Sequence, residues 1–495
     1  MAPSSPPGGP PLSSDLPPGD RREGASAARK VAWNTAVQTA GKAFVLLIGA
    51  ASIALITRYL GPTDYGKYAL ALAYLQLFGV LADVGLYTLV VREISKQPER
   101  TQELVANTLV LRLALSLGVI VLASALSLVL PYDEDTRVAI LIAGVPLVLG
   151  LINSSLVVVF QARLRMDRAV ISETVGRAAT FVAAVIVVVL DLGFYAVVGT
   201  AAVGALVTLT ITAAFARRFI SLRPQANTRL WRGLLLTSIP LGLAIAVNDL
   251  YVRADTFIIS LLRPFDEVGL YALAWRILEV ATTLPLVLLM TVFPLLSRYV
   301  TEDLARARRA MQTTFGVLVI LGVPLAIAGL VLSPHLIELV AGSDFDAAAV
   351  PLSLLLVAGA VSFVNGLFGF SLIAADRQLD VLRVNLAGLG LNIALNLALV
   401  PSYGIDAAAA SVIASEVLIL GGYVLLVRRR FAFVPRLDPL ARALAASAVM
   451  AAPLVILRSQ ELWLLAPLAP LVYGAALYAF GGIDRSLVDR LRSGG

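Results

Sequence analysis

The chain has no cysteine, which excludes disulfides, thiol catalysis and thiolate metal sites. It has one histidine, His335, in the short connection SPHLIELVAGSDF, where a solvated imidazole is expected and a metal site is not. Charge is scarce: Asp, Glu, Lys and Arg make up 14% of 495 residues, 59% are hydrophobic, and mean hydropathy is +0.88. That balance lies outside the range of soluble proteins and leaves no room for a sizeable soluble domain. Also missing are a phosphate-cradling P-loop, a zinc-protease motif and a GxSxG elbow, so no familiar catalytic motif is on view.

The most informative absence is positional. About fourteen apolar runs are long enough to cross a hydrocarbon core roughly 30 Å thick, and Lys and Arg are nearly missing from alternate connections between them. One set of connections begins with Arg21, Arg22, Arg29 and Lys30, continues with Arg92, Lys96 and Arg100, and ends with Arg485, Arg490 and Arg492. The other set holds only Arg58, Lys67, Arg137, Arg263 and Arg458, and gathers acids such as Asp133, Asp135, Asp266 and Glu267. Basic connections face the cytoplasm, which predicts an inner-membrane protein with both termini inside. The formal charge of +7 and pI of 9.7 then reflect orientation and contact with anionic membrane lipid, and nucleic acid is not expected as a partner. The runs lack strict alternation, so they read as helices rather than barrel strands.

Residues 1–30 read as a disordered cytoplasmic tail. The spans then divide into a six-helix bundle at 31–218, a linker at 219–229, a second bundle at 230–430, helices 13 and 14 at 431–481, and a tail at 482–495. The division rests on an internal repeat. In LGPTDYGKYALALAYLQ and LRPFDEVGLYALAWRILE, residues Gly66, Tyr68, Ala69 and Ala71 match Gly269, Tyr271, Ala272 and Ala274, an offset of 203. A second echo links LDLGFYAVVGTAA, around Gly193 and Ala196, to VPSYGIDAAAASV, around Gly404 and Ala407. Both echoes separate equivalent spans by six helices. An even number of spans preserves orientation, so the two copies are related by an axis along the membrane normal.

Lys42, Arg112, Arg177, Arg253 and Arg276 fall inside spans, with Asp83, Glu173, Asp249, Asp255, Glu279 and Glu416 as acidic companions. Each costs a few kcal/mol or more when facing lipid, so most should face a bundle interior or a wet cavity. Asn34, Gln38 and Lys42 recur every four residues and give the first span one polar stripe. Lys42 and Asp83 stand equally far from a turn between Pro62 and Thr63, which predicts an ion pair. Asp249 and Arg253 are spaced i,i+4, and Arg276 and Glu279 i,i+3. Two readings stay open: ion pairs that fix helix register, or a net basic chamber for an anionic headgroup.

Four stretches carry a resemblance: RYLGPTDYGKYALA, ADVGLYTLVVREIS, DEVGLYALAWRI with TVFPLLSRY, and LNIALNLALVPSYGIDAAAASVIASE with Asn392 and Asn396. The chain resembles the polysaccharide-transport branch of the multidrug/oligosaccharidyl-lipid/polysaccharide exporter superfamily from residue 30 to its C-terminus. The resemblance implies an all-α integral membrane protein of about fourteen helices, two pseudo-symmetric six-helix bundles around a central cavity plus two C-terminal helices. It also implies a flippase rather than an enzyme, moving lipid-linked oligosaccharide to the outer leaflet by alternating access. No catalytic residue, metal or cofactor is expected, apart from coupling to Na+ or H+; glycan-assembly enzymes are further candidate partners. Charge and depth nominate Arg253 and Arg276 as headgroup contacts, with Lys42 and Arg112 as a second, cytoplasmic-side set. Asp83, Asp249, Asp255 and Glu279 are the gating or ion-coupling candidates. Rival readings are a peptidoglycan-precursor flippase, a cation-coupled multidrug exporter, whose cationic drugs a basic cavity repels, and a glycan polymerase or ligase, which needs larger outer loops.

Overall fold

The computed structural model describes residues 18–163, 165–221, 223–460 and 462–482, with the backbone alone for 18–43, 46, 240, 241, 243–249, 251 and 252. Its helices are α1 (Pro18–Asp83), α2 (Leu86–Lys96), α3 (Thr101–Val129), α4 (Glu134–Ala162), α5 (Met166–Val189), α6 (Phe194–Ala216), α7 (Thr228–Leu262), α8 (Phe265–Glu302), α9 (Leu304–Ala341), α10 (Ala349–Ala374), α11 (Gln378–Phe431), α12 (Asp438–Ile456) and α13 (Leu462–Ala479). Side-chain caps start several of them: Asp133 accepts from the Thr136 amide, Asn227 from Arg229 and Leu230, and Asp303 from Ala305 and Arg306. Each cap satisfies amides that the first helical turn leaves without partners.

Eleven segments of the described residues are long and apolar enough to cross a bilayer. Two of them, Leu47–Lys96 and Gln378–Phe431, contain a non-helical glycine, Gly61 and Gly404. At ~1.5 Å per residue each would stretch about 75 Å or more if straight, over twice the hydrocarbon core, so each makes two passes. With those two divisions and the 35 residues of α7, the described residues fit about fourteen passes, and the protein is an all-α, multi-pass membrane protein.

The repeat is visible in the backbone. Gly193 (φ 80°, ψ −177°) and Gly404 (φ 64°, ψ −151°) take the same glycine-specific conformation at equivalent corners. Gly66 and Gly269, also matched by the repeat, pack directly against one another between the first part of α8 and the part of α1 that follows Gly61. A methyl group added to Gly66 would overlap the Phe265 carbonyl oxygen and sit 2.9 Å from the Gly269 amide; one added to Gly269 would overlap the Pro62 carbonyl oxygen and sit 3.0 Å from the Gly66 amide. The contact is its own image under the pseudo-twofold axis.

Aromatics reinforce it reciprocally. Tyr132, between α3 and α4, reaches into the second bundle, with its ring 6.3 Å from Phe265 and its hydroxyl 3.0 Å from Ser260 Oγ. Phe345, between α9 and α10, reaches into the first, 5.9 Å from Tyr65. At this Gly61 end one buried apolar cluster, including Tyr74, Tyr271, Phe345 and Val400, runs through both bundles. At the opposite, arginine-rich end the apolar cores separate. One gathers around Leu104, Phe160 and Ile220 together with the start of α7, the other around Met311, Phe368 and Phe431. α12 and α13 pack on α9, where the Tyr473 hydroxyl donates to the Ile320 carbonyl at 2.8 Å.

Three of the few basic residues at the Gly61 end are tied to neighbouring elements or acids. Arg58 donates to the carbonyls of Glu338, Leu339 and Val340 at the end of α9, crossing from one bundle to the other. Lys67 pairs with Asp133 at 2.5 Å and Asp135 at 2.9 Å. Arg263 pairs with Glu267 at 2.5 Å and donates to the Pro401 carbonyl. Partial burial works against the Asp133 carboxylate, but hydrogen bonds from Lys67 and Thr136 hold its pKa below the ordinary carboxylate range.

One expected helix is broken. The span read as continuous over 65–91 splits at Val84 (φ 42°) and Gly85 (φ 75°), which separate α1 from α2. Gly242 of α7 explains how the break is held, because a side chain there would press to 2.5 Å from the Val84 carbonyl carbon. Irregular backbone at membrane depth is tolerated where protein covers it.

Candidate translocation cavity

Five helical segments leave a cavity of about 350 Å³ between the bundles. The two parts of α1 contribute Ser52, Tyr68, Leu72 and Gln76, α5 contributes Arg177 and Thr180, α7 Arg253 and Thr256, and α8 Trp275, Arg276, Glu279 and Thr283. The cavity begins where the glycine contact ends, since Tyr65 and Tyr68 flank Gly66 and both line it. Counted along their helices from the Gly61 end, Arg253, Arg276 and Arg177 lie at depths of about 14 to 18 Å, near the bilayer midplane.

Three arginines from three helices therefore meet one space. Arg276 Nη1 pairs with Glu279 Oε2 at 2.5 Å, and both side chains keep about half of their surface exposed (46% and 52%). Arg177 stands 4.0 Å from Glu173, both 59% exposed. These partners lie one turn away on the same helix, so an incoming anion can exchange with them without unpacking a bundle. Arginine offers a planar fork to phosphate oxygens and keeps its charge in any environment of this kind.

The C-terminal wall is braced from behind. Trp275 stacks on Tyr271, with ring centroids 6.3 Å apart and planes inclined by 27°. The fully buried Tyr271 hydroxyl donates to Asp255 Oδ2 at 2.9 Å, and Asn396 Nδ2 donates to Asp255 Oδ1 at 2.9 Å. Asp255 is 2% exposed, outside the cavity lining, and the side-chain oxygens of Asn392 and Asn396 beside it are buried without hydrogen-bond partners.

The remaining nominated residues stand elsewhere. Arg112 is fully buried between α3 and α4, where it pairs with Asp83 and donates to Ser154 Oγ at 2.6 Å and Ser155 Oγ at 3.1 Å. This pair sits beside the Val84 break and does not line the cavity. Equal distance from the hairpin turn predicts Lys42 as the partner of Asp83, but among the described side chains the partner is Arg112. The side chains of Lys42 and Asp249 lie outside those described. Arg253, Arg276 and Glu279 are brought together, and Arg177, Trp275 and Tyr68 join them without having been nominated. Arg177 had a legible signal, an arginine in the middle of a span; Trp275 had one in its position next to Arg276.

A family model described as polysaccharide biosynthesis protein matches residues 28–300, over half of the chain. The chain belongs to the polysaccharide biosynthesis protein family. A second model, MatE, matches residues 240–398, within the second bundle and overlapping the first match over 240–300. Among curated relatives of this family member, the probable flippase AglR of Haloferax volcanii is 28% identical over 38% of this chain and 40% of its own length. The succinoglycan biosynthesis transport protein ExoT of Rhizobium meliloti is 25% identical over 58% of this chain and 57% of its own. The matched region thus spans about half of the curated relatives or less. In fold, the family member is similar to the lipid II flippase MurJ in an inward closed conformation, with a TM-score of 0.75 at 12% identity, over 91% of this chain and 99% of that one.

Proposed function

We propose that the protein is a flippase that carries polyprenyl-pyrophosphate-linked oligosaccharide from the cytoplasmic to the outer leaflet by alternating access, in the assembly of a surface glycan. The observation that carries this reading is the convergence of Arg177, Arg253 and Arg276 on one cavity between the two bundles. A pyrophosphate cannot cross hydrocarbon unaided, and three guanidinium groups at mid-depth replace part of its lost hydration. The polyprenyl tail stays in lipid while the headgroup occupies the cavity. The relatives described as a probable flippase and a succinoglycan transport protein agree with a transport role.

Sidedness follows from charge. The arginine-rich end faces the cytoplasm and both termini lie inside, in the inner membrane, by the positive-inside rule. The reciprocal contact around Gly66 and Gly269 is then the outer gate, closed here. Cargo entering from the cytoplasm displaces Glu279 from Arg276, and opening requires the two glycine-bearing segments to part. A coupling Na+ or H+ fits best at Asp255, where buried, unpartnered oxygens of Asn392 and Asn396 adjoin the carboxylate. Arg112 and Asp83 act outside the cavity lining in this reading, while Lys42 is a second, cytoplasmic-side headgroup contact and Asp249 a gating or ion-coupling residue. The short connections at the outer end give no platform for a polymerase or ligase, so the protein is a transporter and hands its product to glycan-assembly enzymes.

Mass spectrometry of polyprenyl-linked glycans from the host, with and without depletion of the protein, tests the reading. Accumulation of a lipid-linked intermediate bearing a complete glycan is expected. An unchanged pool under conditions where the glycan is made would reject it in favour of drug export. Accumulation of peptidoglycan precursor instead would select the second reading, to which the MurJ-like fold lends support.

A further inference from the structure

The two walls of the cavity are built from repeat-equivalent positions but carry different chemistry. At the offset of 203 set by Gly66 and Gly269, Ala69, Leu72, Ala73 and Gln76 correspond to Ala272, Trp275, Arg276 and Glu279, and all eight line the cavity. One wall is uncharged, with three apolar side chains and Gln76. The other presents an indole beside a guanidinium, on consecutive residues of one helix.

We infer that Trp275 is the platform for the first sugar of the cargo, the residue bonded to the pyrophosphate that Arg276 holds. The inference rests on the flippase reading of this cavity and adds to it the residue that distinguishes a glycosylated lipid from a bare one. Three observations carry it. Trp275 is half-buried and lines the cavity, so one part of the indole is packed and another is available. Its orientation is fixed from behind by the stack on Tyr271, which Asp255 anchors by hydrogen bond; a held ring binds without first losing rotamer freedom. Its neighbours in the lining include Gln76, Thr256 and Thr283, neutral groups that donate to and accept from sugar hydroxyls.

The chemistry matches a glycosyl pyrophosphate. One face of a pyranose is lined with C–H bonds that carry partial positive charge, and the negative face of an indole is complementary to it. The phosphate attached at the anomeric carbon then falls towards the adjacent Arg276. Leu72 across the cavity supplies bulk without a π face, so the sugar has one preferred wall.

The test compares wild-type protein with Trp275→Leu, which installs the residue of the equivalent position, and Trp275→Phe, which keeps an aromatic face. Each purified protein is offered an equal mixture of the host's lipid-linked oligosaccharide and bare undecaprenyl pyrophosphate, and bound lipid is read by native mass spectrometry. Wild type should favour the glycan-bearing lipid, Trp275→Leu should lose about tenfold of that preference, and Trp275→Phe should stay within threefold of wild type. An unchanged preference in Trp275→Leu overturns the platform and leaves the flippase reading intact. Equal binding of both lipids by wild type does the same. Binding of neither lipid by wild type overturns the flippase reading and the platform together. Loss of both lipids by Trp275→Leu alone also overturns it, because a sugar platform affects the ratio and not the pyrophosphate contact.

Discussion

The two halves of this molecule follow one pattern at the Gly61 end and differ in the side chains they present to the cavity. At the Gly61 end they still mirror each other: Gly66 meets Gly269, Phe345 enters the first bundle as Tyr132 enters the second, and Gly193 and Gly404 turn equivalent corners. A few turns deeper the mirror fails, because Ala73 faces Arg276 and Leu72 faces Trp275 across the same space. A contact that joins two equivalent bundles is served by self-complementary surfaces, as in any twofold contact. On the flippase reading the cargo has one phosphate end and one sugar end and no twofold axis, which an unequal site matches.

The strongest way to break the symmetric half of this comparison is to enlarge its centre. Gly66→Leu should disrupt the contact between the two bundles, because the added side chain meets backbone rather than a flexible group. A loss of 3 kcal/mol or more, estimated roughly from overpacking at a rigid contact, would appear as a large fall in melting temperature and loss of transport. Gly269→Leu should do the same; normal behaviour of either variant would mean that the contact is dispensable.

Arg112→Ala removes the partner of Asp83 at the opposite end. Breaking a buried pair costs about 3 kcal/mol or somewhat more, so thermal unfolding should shift clearly while cargo preference among surviving molecules does not. A changed preference would move Arg112 into the binding machinery.

Arg276→Ala should lower transport about tenfold with little change in melting temperature, since it removes a charge-assisted contact worth roughly 1.5 kcal/mol. Combining it with Ala73→Arg sharpens the comparison. The rebuilt cation sits on the wrong wall, and full recovery of transport would erase the claim that the walls differ.

The smallest effect is expected at Asp133→Ala, which loses the cap of α4 and a partner of Lys67 at a cost of about 1 kcal/mol. The pKa of Asp133 is lowered in the folded protein, so its contribution is complete above the ordinary value near 4 and fades as pH falls through the depressed one. Melting curves of variant and wild type should differ at pH 7 and converge in acid. A difference that persisted below that window would mean that Asp133 acts through packing.

Much of this was legible from residues alone. Hydropathy makes the passes legible, and the alternation of Lys and Arg predicts their direction, because insertion reads each segment with its flanks before any tertiary contact forms. The turn near Pro62 and the repeat were legible for a similar reason: backbone geometry at a glycine or proline is local. The break at Val84 was not, because nothing in ADVGLYTL forbids a helix; the packing of Gly242 against that backbone holds it. Nor was the partner of Asp83. Distance from a turn gives depth along a helix but not azimuth around it, and azimuth is set by neighbours.

The sequence by itself determined that the chain spans a membrane in two equivalent sets of helices and that several charges had to be hidden from lipid. Hydration of charge and burial of apolar surface act on each segment wherever its neighbours lie. Only the tertiary structure decided which charges share a cavity, joining Arg177 to Arg253 and Arg276 and sending Arg112 to Asp83. That choice depends on which faces of distant helices meet, a property of the packed bundles that no single span carries.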